Sequence, residues 1–170
     1  MTDEEKFNRP EEVVERMTLL VFAGDLDKVL GAFIIANGAA VMDIKVHMFF
    51  AFWGLNALRK GKHKTSHYNF LAKMFGWMMP KGADKLKLSQ MNLMGMGTSM
   101  MKRVMKKQNV MSLSDLIKTA RDLGVQLTAC EMSMNVMGLK KEELLDGVKL
   151  AGVATAIANA SESQTSLFIS

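Results

Sequence analysis

Val125-Gln126-Leu127-Thr128-Ala129, followed at once by Cys130, is the stretch from which the fold is read. Upstream, Ser112-Leu113-Ser114-Asp115 has the form of a capping box, in which a hydroxyl and an acidic side chain three residues later satisfy free backbone N–H groups. Leu116, Ile117, Ala120 and Leu123 then recur at helical spacing up to Gly124, a residue suited to the left-handed turn that ends a helix. A short apolar run straight after such a stop reads as a buried strand. Past Cys130, Met132 to Val136 reads as one or two helical turns.

The same alternation runs through the chain. Pro10 suits the first position of a short acidic helical lead ending at Glu15, and Met17 to Phe22 is continuously apolar, as a central parallel strand would be. Ala23-Gly24-Asp25 supplies a turn and an N-cap for a helix over Leu26 to Met42, and Ile44 to Phe50 makes a second strand. Lys140 to Leu145 reads as a helix, Val148 to Gly152 as a fourth strand, Val153 to Glu162 as a small-residue helix, and Ser166 to Ser170 as a closing strand. The expectation is an α/β three-layer sandwich with a mainly parallel sheet of about five strands and right-handed crossovers. The order expected is 2-1-3-4-5, with the first and third strands adjacent. Cys130 would then sit at the switch point of the sheet, facing the Gly24-Asp25 turn and the Phe52-Trp53-Gly54 loop.

A chain of 170 residues suits one domain, 1–170, able to bury a core without disulfides or structural metal. With one cysteine no intramolecular disulfide can form, which fits a reducing compartment. The N-terminus is acidic and lacks the apolar stretch of a secretory signal. The longest uncharged apolar stretch, Val29 to Met42, is 14 residues, whereas a spanning helix needs about 20. A cytoplasmic protein is the expectation.

The net charge of +5 conceals an asymmetry: residues 59–107 hold twelve Lys or Arg against the single acid Asp84, and the remainder of the chain is at −6. Nine of the seventeen methionines fall in the same stretch. Residues 59–111 therefore read as an insertion between the second and third strands. Within it, Ser66 is a candidate cap for a helix bearing Phe70, Met74 and Met78, and Ser89 for one bearing Met91, Met94, Met101 and Met105. A Lys-rich amphipathic surface of this kind can lie on an anionic membrane or meet an acidic partner. Nucleic acid is disfavoured, because few aromatic residues interleave the basic runs.

Other motifs carry less. Gly95-Met96-Gly97-Thr98-Ser99-Met100 begins like a dinucleotide fingerprint but lacks the third glycine and a preceding strand, and no phosphate loop of the Walker type is present. His63 and His67 have metal-ligand spacing with no local carboxylate or thiolate, so solvated side chains are the simpler reading. His47 lies within a strand and reads as a buried structural histidine. The methionines suit cuprous ion chemically, but Met equally fills irregular apolar gaps. No metal or cofactor is expected.

Cys130 has two readings. A thiol at a strand's C-terminal end, before free helix N–H groups, is favoured as thiolate relative to its usual pKa of about 8.5. Free cysteine is also among the most buried residue types, and can be packing alone in a non-catalytic ligand-binding or assembly module.

The segment Thr128-Ala129-Cys130-Glu131-Met132-Ser133-Met134-Asn135-Val136-Met137-Gly138-Leu139, with Lys140 to Leu145, resembles the DsrE/DsrF/DsrH-like sulfur-relay family, closest to its larger members, often labelled peroxiredoxin-like. The Phe22-Ala23-Gly24-Asp25 and Phe52-Trp53-Gly54-Leu55 stretches and the Leu88 to Met105 block extend the resemblance over most of the chain. It implies a homo-oligomer, commonly trimeric or hexameric, that carries sulfur as a persulfide on one cysteine, matched here by Cys130, between donor and acceptor proteins. The N–H groups of Glu131, Met132 and Ser133 would stabilise the anionic sulfur, with Met134 beside them and Gly24, Asp25, Phe52, Trp53 and Gly54 lining the site. Glu131 would oppose a thiolate and is expected to face away. Many small family members lack a block like 59–107, so their partners and partner surfaces do not transfer.

Overall fold

Residues 15–61, 79–90 and 95–170 are described by the computed structural model. The acidic lead before Glu15, His63 and His67, the helix expected after Ser66, and Met91 and Met94 lie outside these. In chain order the elements are β1 (Arg16–Val21), α1 (Leu26–Val41), β2 (Lys45–Phe50), a 3-10 helix (Phe52–Leu58), α2 (Met96–Lys107), α3 (Leu113–Asp122), β3 (Gln126–Cys130), α4 (Glu131–Met137), β4 (Lys149–Ala151), α5 (Val153–Ser161) and β5 (Thr165–Ile169).

The five strands form one sheet, parallel throughout. Its order is β4-β3-β2-β1-β5. This corrects the expected order: β2, not β1, lies beside β3, and β5 pairs with the other edge of β1. The reason lies in burial. All of β2 after Lys45 is buried, so its backbone needs a ladder partner on each side. Apolarity alone marks a strand as internal without saying which neighbours it takes.

The direction of chain travel explains the layers. Two successive crossovers carry the chain from β1 to β2 to β3, and α1 packs on α3 over one face of the sheet. Alternate residues Leu19, Val21, Met48, Phe50, Leu127 and Ala129 point into that main core, with Phe33 and Ala36 from α1 and Ile117 and Ala120 from α3. The return from β4 to β5 passes over the opposite face, where α5 is the covering helix and packs on β1. The result is the expected three-layer sandwich. Residues of opposite parity, Leu20, Phe22, Phe49, Ala51 and Cys130, meet Ala156 of α5 in a second, smaller cluster.

Local signals explain most element ends. The Ser112 hydroxyl accepts from the Asp115 N–H while the Asp115 carboxylate accepts from the Ser112 N–H, completing the capping box. Gly124 ends α3 at φ 82, where a Cβ would be strained. Asp25 occupies the N-cap of α1 without a side-chain capping bond, and its carboxylate is 3.6 Å from Lys28 Nζ. α2 starts at Met96, after Gly95 at φ 98, while Ser89 instead binds the Asp27 carboxylate through its N–H and hydroxyl. The helix expected over Lys140 to Leu145 is only a 3-10 turn, Lys141–Glu143. Between β2 and β3, Leu58, Met79, Ala83 and Leu86 reach the main core.

Candidate functional site

Cys130 is the last residue of β3 and the N-cap of α4, with extended backbone (φ −73°, ψ 113°). The helix begins at the next residue, so the first-turn N–H groups of Glu131, Met132 and Ser133 have no carbonyl within the helix to bind. Parity along β3 decides where the sulfur points. Leu127 and Ala129 face the main core, so Thr128 and Cys130 face α5. The thiol has no solvent exposure at all. It belongs to an apolar cluster with Phe49 and Ala51 on β2 and its extension and Ala156 on α5, against which the partly buried Leu20 and Phe22 pack.

The expected site residues divide into two groups. Glu131 and Met132 are exposed, whereas Ser133 and Met134 are buried. Met134 and Met137 join the main core and seat α4 against the 3-10 helix. Ser133 Oγ is buried and has no hydrogen-bond partner among the described residues. The second group forms the rim at the C-terminal ends of β1 and β2. A Cβ at Gly24 would lie 2.8 Å from the Trp53 carbonyl oxygen, so the two loops touch backbone to backbone. The Gly54 N–H donates to the Phe22 and Ala51 carbonyls. Gly24, Asp25 and Trp53 line a pocket of about 520 Å³ together with Phe22, Lys28 and Ser170.

Because β2 separates β1 from β3, the Phe52-Trp53-Gly54 loop stands between Cys130 and the Gly24-Asp25 turn. The expected placement of Cys130 at the switch point, facing that turn directly, is corrected accordingly. The apolar cluster that holds the sulfur is made of residues that sequence reasoning passed over: Leu20 and Phe22 at its edge, with Phe49, Ala51 and Ala156. Strand alternation could have found the first four, since each lies an even number of positions from its neighbour on the face of Cys130. The alanines of α5 are a weaker signal for close approach. An aromatic run continues outward, with the Phe22 ring 6.1 Å from Phe52 and 5.0 Å from Phe168. Phe52 takes φ 48, uncommon for a bulky residue.

His47 sits lower on the same sheet face. Its Nε2 is 2.8 Å from Thr128 Oγ1, and its Nδ1 is buried without a partner among the described residues. Burial, and after it the charge of Lys149, holds its imidazole below the ordinary pKa of 6.5. No group of three or more His, Cys, Asp or Glu side chains placed to hold a metal occurs among the described residues.

An all-parallel α/β sheet with a lone thiol at the end of an internal strand defines the class. The chain belongs to the DsrE/DsrF/DrsH-like family, whose sequence pattern matches residues 13–168. It is 52% identical over 158 residues to a Bacillus subtilis protein named YrkE, described as uncharacterized, covering 93% of this chain and 99% of that one. It is 33% identical over 159 residues to the sulfur carrier protein DsrE2 of Allochromatium vinosum, covering 91% and 98%. Two solved structures share the fold, each with a TM-score of 0.54 and 91% of this chain covered. They are the ychN protein of E. coli at 8% identity (99% of that chain) and MTH1491 of Methanobacterium thermoautotrophicum, of unknown function, at 13% (98%).

Proposed function

We propose that the protein is a sulfurtransferase or sulfur carrier that holds sulfane sulfur as a persulfide on Cys130 and passes it to an acceptor thiol. The observation that carries this reading is the coincidence of the family's sulfur chemistry with a single thiol, placed where an internal strand meets a helix N-terminus. The Cys130 thiolate attacks the outer sulfur of a donor persulfide, R–S–SH. A new S–S bond forms to Cys130 as the donor's S–S bond breaks, and R–S⁻ leaves. An acceptor thiolate then attacks the outer sulfur and Cys130 departs as thiolate. No oxidant or reductant is consumed, and one cysteine suffices. A disulfide cycle of peroxidase type would need a second thiol from outside this chain.

The test is intact mass after incubation with inorganic polysulfide. Wild type should gain one sulfur atom, removable by a reducing thiol, and Cys130→Ser should gain none. An unmodified wild type, or equal adducts on both proteins, would sink the proposal.

The complete burial of Cys130 favours a second reading, in which the thiol is packing and the rim pocket holds a small ligand or the protein serves assembly. Labelling separates the two readings: a Cys130 that reacts with iodoacetamide only on global unfolding supports the second.

For partners, we place self-association on apolar residues left outside and away from α5: Phe168, Val136 and Met132 are all at least 53% exposed. A trimer or hexamer would cover them. α2 turns Met96, Met100 and Val104 outward beside Arg103 and Lys107, and suits peripheral contact with an anionic membrane. No helix among the described residues is long and apolar enough to cross a membrane. A cytoplasmic location suits a carrier whose one thiol must stay reduced.

A further inference from the structure

We propose that α5 is the access element of Cys130, and that sulfur enters and leaves only when this helix lifts from the sheet. The inference rests on the persulfide reading above and concerns how the buried thiol is reached.

The sulfur is enclosed on all sides, and the sides are not equally fixed. Toward the sheet, Phe49 and Ala51 belong to β2 and its extension, with ladder partners on both edges. Beyond β2, Leu20 and Phe22 back this cluster from β1 and its extension, which is paired with β2 and β5. Moving any of these would break the centre of the sheet. On its other flank Cys130 is laddered to Ala151 of β4, and the wall over the sheet face is Ala156, 2% exposed and the one buried residue of α5. Its neighbours on the helix, Val153 and Ile157, are 46% and 57% exposed. Of α5's own side chains, lifting therefore exposes only one buried methyl group, together with the Phe49 face and the thiol beneath it.

The attachment of α5 is also lopsided. At its C-terminal end Glu162 pairs with Arg16, Ser163 Oγ lies 2.9 Å from Thr18 Oγ1, and the Gln164 N–H donates to the Arg16 carbonyl. Its N-cap is Gly152, which offers no side-chain capping bond. A helix of nine residues has marginal stability of its own and takes its order from packing. The N-terminal end, which follows Ala151, the ladder partner of Cys130, is thus the end free to rise, with the Ser163 region as hinge. A persulfide adds a sulfur atom to a thiol that is already fully buried, so the loaded protein holds the helix raised.

The measurement is native-state alkylation of Cys130 by iodoacetamide at several urea concentrations below the unfolding transition, with amide hydrogen exchange on residues 153–161. Ala158→Gly weakens α5 at an exposed position away from the thiol. It should raise the labelling rate about fivefold, the helix-interior difference between Gly and Ala carried into local opening. The urea dependence of labelling should stay shallow, and exchange should quicken in α5 but not in β3. Labelling with the full urea dependence of global unfolding, or an unchanged rate in Ala158→Gly, overturns the proposal. The two readings fail separately. Sulfur uptake from polysulfide at equal rates in wild type and Ala158→Gly removes the access role and leaves the carrier. Alkylation that follows α5 opening without any sulfur adduct removes the carrier and leaves the access role.

Discussion

Arg59 Nη2 and Glu143 Oε2 are 2.9 Å apart, with both side chains almost wholly buried. Arg59 follows the 3-10 helix that forms the rim, and Glu143 lies in the turn beyond α4. The backbone repeats the connection: the Lys60 N–H donates to the Glu143 carbonyl and the Leu145 N–H to the Leu58 carbonyl. The pair therefore holds the rim against the segment that leaves the cysteine helix.

Removing one partner leaves the other charged and out of water. Glu143→Ala should lower stability by about 3–5 kcal/mol, whereas replacing both residues with apolar side chains of similar volume should change it far less. Urea unfolding of the single and double variants checks this. Equal losses in both would show that the packing, and not the stranded charge, matters.

His47 gives a pH signature. Its folded-state pKa lies below 6.5, so below that pH the unfolded chain binds a proton that the folded one resists. Stability should be flat in this respect above pH 6.5 and fall as the pH drops from 6.5 toward the folded-state value. His47→Gln should remove that slope. Chemical denaturation at a series of pH values between about 5 and 8 reads it directly, since His titrates in that range. A wild-type curve that coincides with the variant's would refute the assignment.

The Arg59 to Glu143 pair also shows where sequence reading stops. Lys140-Lys141-Glu142-Glu143-Leu144-Leu145 has strong helix formers throughout, and local propensity predicts a helix. The chain instead draws Glu143 inward to a cation 84 residues away and bridges Leu144 to Arg59. No local pattern encodes such a partner. The sheet order failed for the same reason: β1 and β2 both read as internal strands, yet which edge each offers to β3 or β5 is decided by crossovers over the whole chain. The strands, the cap at Ser112 and the strand-end address of Cys130 were legible because each depends on neighbours within a few residues. The burial of the thiol was not, because Ala156 arrives from 26 positions away.

The Ser112 cap is a clean local test. Ser112→Ala removes the oxygen that accepts from the Asp115 N–H at 3.2 Å and should cost about 0.5–2 kcal/mol. The loss should be read by denaturant unfolding with an unchanged slope. α3 also lies on the face away from Cys130, so the native-state labelling rate should move only as much as global stability does.

Gly54 is the position where the smallest addition should do most harm. An added Cβ would stand 2.4 Å from the Val21 carbonyl oxygen and 3.4 Å from that of Ala23. The obstacle is backbone, and it is held: the Ala51 N–H donates to the same Val21 oxygen, while the Phe22 and Ala23 N–H groups both donate to Ile169 of β5. The rim must therefore move away from the end of β1, giving up the two bonds made by the Gly54 N–H. Gly54→Ala should destabilise by about 1–3 kcal/mol, as overpacked sites do. Because this loop follows the strand next to Cys130, labelling of the thiol should quicken by more than the stability loss accounts for. Gly38→Ala is the control: it lies in α1 with no atom within 4 Å of the new Cβ, and should stabilise by about 0.4–1 kcal/mol. Thermal melts of the two variants should shift in opposite directions, and a Gly54→Ala protein as stable as wild type would show that the rim is not pinned as described.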